Sequence, residues 1–243
     1  MVKPNSLFEE LDWRPTPIGT LSLRRRTDPV SGIEVYEIKL GDEFLMSSLF
    51  TVAEVELARL GLAAALGTGL DVVVGGLGLG STADAVLQDS RVRSLVVIEA
   101  LPEVIEWHRR GLLPLGAGLT ADPRCRLVEG DFFAILGSPP GHLDPEDPRR
   151  LFHAIIVDID HSPRQVLSAG NAGLYVPTGL RRLAACLHPG GVFALWSNDP
   201  PDEEFQAALR EVFPMVGAHV VSFLNPLNDR ESTNTVYVAT AET

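Results

Sequence analysis

Between residues 70 and 88 an apolar run, Leu70-Asp-Val-Val-Val, passes through Gly75-Gly76-Leu77-Gly78-Leu79-Gly80 into a helical stretch from Ser81 to Gln88. No other feature restricts the fold of this chain as much as this strand, glycine turn and helix. Glycine adopts backbone angles closed to other residues and lets the main chain approach a neighbour closely. The spacing of Gly76, Gly78 and Gly80 brings backbone N–H groups close to a ligand. A second buried strand, Leu95-Val-Val-Ile-Glu99, follows. Its terminal acid comes roughly 20 residues after the glycines, where it can accept hydrogen bonds from ribose hydroxyls. Together these features point to an adenosine-containing cofactor. The run Gly78-Leu-Gly80-Ser-Thr-Ala83 also fits the dinucleotide form GxGxxA, so a nicotinamide-dependent oxidoreductase stays open.

Downstream, strand and helix patterns keep alternating. Pro102 suits the first turn of a helix running toward Arg110. Strands are expected at Cys125–Glu129, Phe152–Asp158 and Val192–Trp196, with helices from Asp131, over 174–187 and over 202–212. Residues 137–150, rich in proline, read as a surface loop. Two final strands, 217–224 and 234–240, have no helix between them. Alternation predicts a mostly parallel sheet with helices on both faces, and the last pair an antiparallel hairpin on it.

The first 50 residues read differently. Residues 1–18 carry prolines and read as irregular. Short runs at Gly19–Arg24, Ile33–Leu40 and Glu43–Ser47 are separated by turn formers, which predicts a small antiparallel β-unit. Residues 1–50 are thus expected as that unit and 51–243 as the larger α/β domain. Thr51-x-x-Glu54 has the form of a capping box opening a helix to Leu66, a purely structural reading.

Bulk charge narrows the function classes. The formal net charge is −12. Nucleic acids and anionic membranes need a basic footprint, so neither is an expected partner, whereas a cationic small molecule is compatible. Cys125 and Cys186 lie far apart with no CxxC spacing, so neither a zinc site nor a disulfide framework is expected, and no metal. The N-terminus shows no basic segment followed by an apolar one, and no apolar run is long enough to span a bilayer. A cytoplasmic location is expected.

In open α/β sheets ligands sit beyond the carboxyl ends of the strands, at the switch in strand order. Asp158-Ile-Asp160-His161 falls at such an end. Two acids and an imidazole there can position an amine and take its proton, which makes nitrogen nucleophilic. Asp158, Asp160 and His161 are therefore the candidate catalytic residues. Asp131, in Glu129-Gly-Asp131-Phe132-Phe133, can accept from an adenine amino group beside an aromatic ring, or cap a helix. Gly76, Gly78, Gly80, Glu99, Asp131 and Phe132 are the candidate cofactor contacts.

These residues carry a family resemblance. Val73-Val-Gly-Gly-Leu-Gly-Leu-Gly, Val97-Ile-Glu99, Asp122-Pro-Arg, Glu129-Gly-Asp131, Ile155-Ile-Val-Asp158 and Leu187-His-Pro-Gly-Gly, behind an N-terminal β-unit, resemble the spermidine synthase (aminopropyltransferase) family. The similarity spans about residues 19–240. It implies a Rossmann-like fold of the class I methyltransferase type: a seven-stranded sheet with an antiparallel C-terminal hairpin. It implies S-adenosylmethionine or its decarboxylated form as cofactor, a small amine acceptor and a homodimer. It places Glu99 at the ribose, Asp131 at the adenine and Asp158 at the amine. Leu79 stands where the family carries an acid that holds the aminopropyl ammonium, and His161 where it carries a second amine-binding acid. Aminopropyl transfer, methyl transfer outside polyamine metabolism and non-catalytic nucleoside binding thus all stay open.

Overall fold

The computed structural model describes residues 8–16, 19–29, 31–138, 143–225 and 230–243. The described residues form two sheets. The first is a four-stranded antiparallel meander: β1 (Phe8–Thr16), β2 (Gly19–Thr27), β3 (Glu34–Leu40) and β4 (Glu43–Ser47), paired in that order. The segment expected to be irregular therefore contains a strand, β1. Its sequence lacks period-two alternation, and a bulge falls between Glu10 and Asp12. Pro15 is tolerated because β1 is an edge strand. Asp12 anchors it: Trp107 Nε1, on a fully buried ring, donates to Asp12 Oδ2 at 2.9 Å. Burial alone would raise Asp12, but hydrogen bonds from Arg14 and Trp107 outweigh it and hold the carboxyl below its usual range. Residues 1–7, at the start of the expected irregular segment, lie outside the described residues.

Helix α1 (Val52–Ala64) then leads into the second sheet. This sheet contains β5 (Leu70–Gly75), β6 (Val92–Glu99), β7 (Cys125–Glu129), β8 (Phe152–Val157), β9 (Leu187–Ser197), β10 (Met215–Asn225) and β11 (Arg230–Thr240). Their order is β10-β11-β9-β8-β5-β6-β7. The pairings among β5 to β9 are parallel, and β11 pairs antiparallel with both β10 and β9. The expected mixed seven-stranded sheet is observed. Between its strands run α2 (Ser81–Gln88), α3 (Pro102–Arg109), α4 (Gly116–Ala121), α5 (Phe132–Gly137), α6 (Pro177–Ala184) and α7 (Glu203–Arg210). Helix α4 and a 3-10 turn at Ala169–Leu174 gave no periodic signal, being short and glycine-bearing.

Strand β5 is buried along its whole length, as expected where helices cover both faces of a parallel sheet. Each fully buried Val or Leu in such a strand contributes about 1.5–3 kcal/mol. One apolar cluster on one sheet face joins Leu21, Leu23 and Ile38 of the meander to Leu57 of α1 and to Leu77 and Leu79 of the glycine turn. The meander is therefore packed directly over that turn. The opposite face is filled by a second cluster that includes Phe132, Phe193 and Phe213.

Asp71 organises the other end of the sheet. Ser94 Oγ donates to it at 2.5 Å, Arg150 pairs with it at 2.8 Å, and Arg93 also pairs with it. Burial would raise its pKa, yet these hydrogen bonds outweigh it and bring Asp71 down to about 2. Asp71, His153 and His188 present possible ligand atoms within 4.8 Å of one another. However, both Asp71 oxygens already serve guanidinium groups, which a cation would have to displace. Asp71→Asn is expected to lower stability by about 2–3 kcal/mol, discounted from a fully buried pair because Arg93 is exposed. Urea unfolding at neutral pH measures the loss. An unchanged midpoint would show that the network contributes nothing.

Candidate active site

Register fixes the site. Gly75 pairs with Ile98 of β6 and with Val157 of β8, so the chain leaves β5 and β8 side by side where the strand order reverses. Gly76 has φ of +94°, and a Cβ there would lie 2.1 Å from the Asp158 carbonyl oxygen. Only glycine fits between these two strand ends. Gly78 has φ of +49°, and a Cβ there would lie 2.6 Å from Met46 Sδ. The close approach at Gly78 is thus made by the meander, with Met46 seated on the turn.

A cavity of about 1000 Å³ opens here. Its floor is the turn from Leu77 to Ser81. Its walls come from β8 and β9 through Asp158, His161, Trp196 and Asn198. The meander contributes Arg24, Arg26, Glu37 and Met46, α1 contributes Glu54, and the β10–β11 hairpin closes a further side.

Asp158 lies in this cavity. Thr82 Oγ1 donates to Asp158 Oδ2 at 2.6 Å, which fixes one face of the carboxylate. Burial raises Asp158 above the usual carboxylate range, and the Thr82 hydrogen bond only partly opposes it. Glu54 is the residue sequence reasoning missed. Thr51 makes no side-chain cap, and Glu54 does not reach back to it. Instead Glu54 lines the cavity, and its Oε2 is buried with no partner among the described residues. Burial, reinforced by the charge of Asp158, pushes Glu54 strongly upward. Two carboxyl groups of raised pKa therefore share one hollow.

The remaining expected residues divide. His161 lines the cavity, its Nε2 lying 3.5 Å from Glu43 Oε1. Asp160 is not brought there. It is 2% exposed and accepts from Leu167 N–H at 2.7 Å, Asn171 Nδ2 at 2.8 Å and the Tyr175 hydroxyl at 2.7 Å. All its bonding capacity in view goes to folding the 160–175 loop, which corrects the expectation of a catalytic role. Phe132 is corrected likewise. It is 2% exposed, packed against Gly75 in the core, and does not line the cavity. Asp131 caps α5, accepting from Phe133 N–H at 2.9 Å and Ala134 N–H at 3.0 Å, and is exposed beyond β7.

Glu99 touches the turn directly. Its Oε2 accepts from Leu77 N–H at 2.9 Å, and its Oε1 from Leu101 N–H at 2.9 Å. Burial raises Glu99, and these backbone donors only partly offset it. The acid and the glycine turn thus form one unit, although Glu99 itself stands outside the cavity wall. His108 of α3 braces the same turn, its Nε2 donating to the Gly78 carbonyl at 2.8 Å. Burial lowers the His108 pKa, which keeps the ring neutral. A lone histidine in a helix gave no signal for this.

Orphaned polar atoms test whether the hollow suits a polar ligand. Among the described residues, five buried side-chain polar atoms have no partner: Arg24 Nε, Glu54 Oε2, Glu103 Oε2, His108 Nδ1 and Trp196 Nε1. Arg24, Glu54 and Trp196 all line the cavity. Each unpartnered buried group costs about 1–3 kcal/mol, so their collection in one hollow marks a place built for a polar molecule.

No known family model matches the sequence. Polyamine aminopropyltransferase 2 of Pseudomonas aeruginosa is 31% identical over 168 residues, covering 64% of this chain and 44% of that protein. The match thus takes in less than half the length of this curated relative. Among solved structures, a spermidine synthase in complex with the transition state analogue AdoDATO aligns with a TM-score of 0.72 at 18% identity, over 95% of this chain and 73% of that one. The spermidine synthase of Thermotoga maritima aligns with a TM-score of 0.70 at 18% identity, over 95% and 72%. Human methyltransferase-like protein 13, in complex with SAH, aligns with a TM-score of 0.55 at 20% identity, over 79% of each chain. No helix among the described residues is long and apolar enough to cross a membrane. Over 64% of its length the chain is thus similar to a polyamine aminopropyltransferase, and it shares its fold with spermidine synthases and with a methyltransferase-like protein.

Proposed function

We propose that this protein is an alkyl transferase that binds S-adenosylmethionine or its decarboxylated form and acts on a small nitrogen nucleophile. The observation that carries this reading is the single hollow shared by the glycine turn, Asp158 and Glu54, with unpartnered polar atoms around it. The similarity to a polyamine aminopropyltransferase, and to folds that hold an adenosyl analogue or SAH, supports it.

Residues of the turn from Leu77 to Ser81, with Glu99 behind them, would hold the cofactor. When bound, the cofactor supplies a sulfonium whose attached carbon is open to in-line attack. This chain orients the partners and manages one proton. An amine arrives protonated at neutral pH and is not nucleophilic until that proton leaves. Asp158, whose pKa burial raises, accepts it. Thr82 keeps Asp158 Oδ2 occupied, which leaves Oδ1 to take the proton. Glu54 stays protonated beside it and so carries no charge to repel it, which keeps two acids in one hollow from destabilising each other. Orientation in a closed site supplies much of the rate. Asp160 acts at one remove, by holding the loop that carries His161.

Thermal stabilisation by S-adenosylhomocysteine, but not by NADH, is the expected first result. Incubation with each cofactor and a panel of amines and amino acids, read by mass spectrometry, is expected to yield one alkylated product. Stabilisation by NADH alone would move the chain to the oxidoreductases. Cofactor binding with no product across the panel would make it a non-catalytic nucleoside-binding protein.

A further inference from the structure

The cavity is acidic at one side and cationic at another. On the meander side it is lined by two arginines. Arg26 is already neutralised: its Nε donates to Glu37 at 2.7 Å, and Asp28 lies 3.5 Å from its Nη1. Arg24 has no carboxylate partner among the described residues. Its Nε is buried and unbonded, and its guanidinium sits over the Phe8 ring, 5.2 Å from the centroid. An arginine stacked on an aromatic face keeps its N–H edge available, and that edge matches a carboxylate with two parallel hydrogen bonds. A single unpaired guanidinium in a hollow that also holds Asp158, Glu54 and Glu37 suits one negative charge, not a phosphate chain. Leu79 puts an apolar side chain on the floor, so no acid on the turn opposes an incoming anion.

We propose that Arg24 receives a carboxylate of the ligand, and that the cavity takes an amino-acid moiety with its ammonium toward Asp158 and its carboxylate on Arg24. This rests on the transferase reading given above. It deepens that reading by naming the ligand class. The carboxylate has two sources: the methionine part of an intact cofactor, or an amino-acid acceptor.

Two matched pairs differ only by that group. S-adenosylmethionine and its decarboxylated form make one pair, ornithine and putrescine the other. Calorimetry on the whole protein measures each compound. The amines are titrated with 5′-methylthioadenosine present, because it carries neither a carboxylate nor an aliphatic ammonium. Wild-type protein is expected to bind the carboxylate-bearing member of one pair at least about tenfold more tightly, the scale of one charge-assisted hydrogen-bonded contact. That pair identifies the source. Arg24→Met is expected to erase the preference and Arg24→Lys to keep part of it. Tight binding of both members of each pair alike, or a preference that survives Arg24→Met, overturns the inference alone. Failure of all four compounds to bind overturns it together with the transferase reading. The wild-type comparison decides even if a variant fails to fold.

Discussion

Asp158→Asn is expected to lower kcat/KM by about a hundredfold or more, while adenosyl-ligand affinity changes by no more than about threefold. The asymmetry follows from where Asp158 sits. Asp158 lines the cavity, and its own main chain is already engaged, with its N–H donating to the Gly75 carbonyl at 2.9 Å. Asparagine keeps the shape and still accepts the Thr82 hydroxyl, so the loop and the floor are expected to stay in place. What it loses is the ability to take a proton. The loss therefore belongs in the step where nitrogen becomes a nucleophile. The pH profile separates this from mere positioning. In wild-type protein the rate is expected to rise with pH as Asp158 loses its proton while Glu54 keeps its own. In Asp158→Asn that rise disappears. Steady-state kinetics with the acceptor found by product screening, run across pH, measures both. A variant with unchanged rate would make Asp158 a structural residue and leave proton transfer to solvent.

The legible part of this molecule was local. The glycine turn, the apolar strands and the acids at their ends each carry their reason within a few residues. β5 and α2 run over residues close to those expected, and Asp158 arrives where β8 ends. What was illegible depends on elements far apart in the chain. Thr51-x-x-Glu54 satisfies the capping pattern, yet the packing of α1 against the sheet turns Glu54 toward Asp158 instead. Arg24 sits among three consecutive arginines on β2, and strand register alone decides which meets the cavity: Arg25 instead pairs outward with Glu9 at 2.6 Å. Phe132 and Phe133 are adjacent and equally apolar. The space above Gly75 admits one ring, and the first of them fills it. Asp158 and Asp160 share a short motif, but the chain bends after β8, and Asn171 and Tyr175 claim the second acid.

Glu54 gives the second large effect, on stability. The unfolded chain releases this proton near 4.5, whereas the folded protein holds it to about 9. Between those values the native state binds more protons than the unfolded one, so stability must fall as pH rises. The contribution is complete below the lower value and lost once pH passes the upper. One proton sets a limiting slope of about 1.4 kcal/mol per pH unit. Asp158, also raised, acts in the same direction. Because the residue faces an open cavity, solvent reduces the total, and about 2–3 kcal/mol by about pH 8 is the expected size. Glu54→Gln removes the titration while keeping an amide that still hydrogen-bonds. Urea midpoints taken from about pH 5 to about pH 9 are expected to fall steeply in wild-type protein and less steeply in the variant, where buried Asp158 and Glu99 still titrate. The two curves meet at the acid end, and the variant is the more stable at the alkaline end. Parallel curves would mean that water entering the cavity leaves Glu54 ionised in the folded protein, and Asp158 would then share its hollow with a second negative charge. An ammonium ligand binding more tightly to wild type than to Glu54→Gln as pH rises would show where that charge is used.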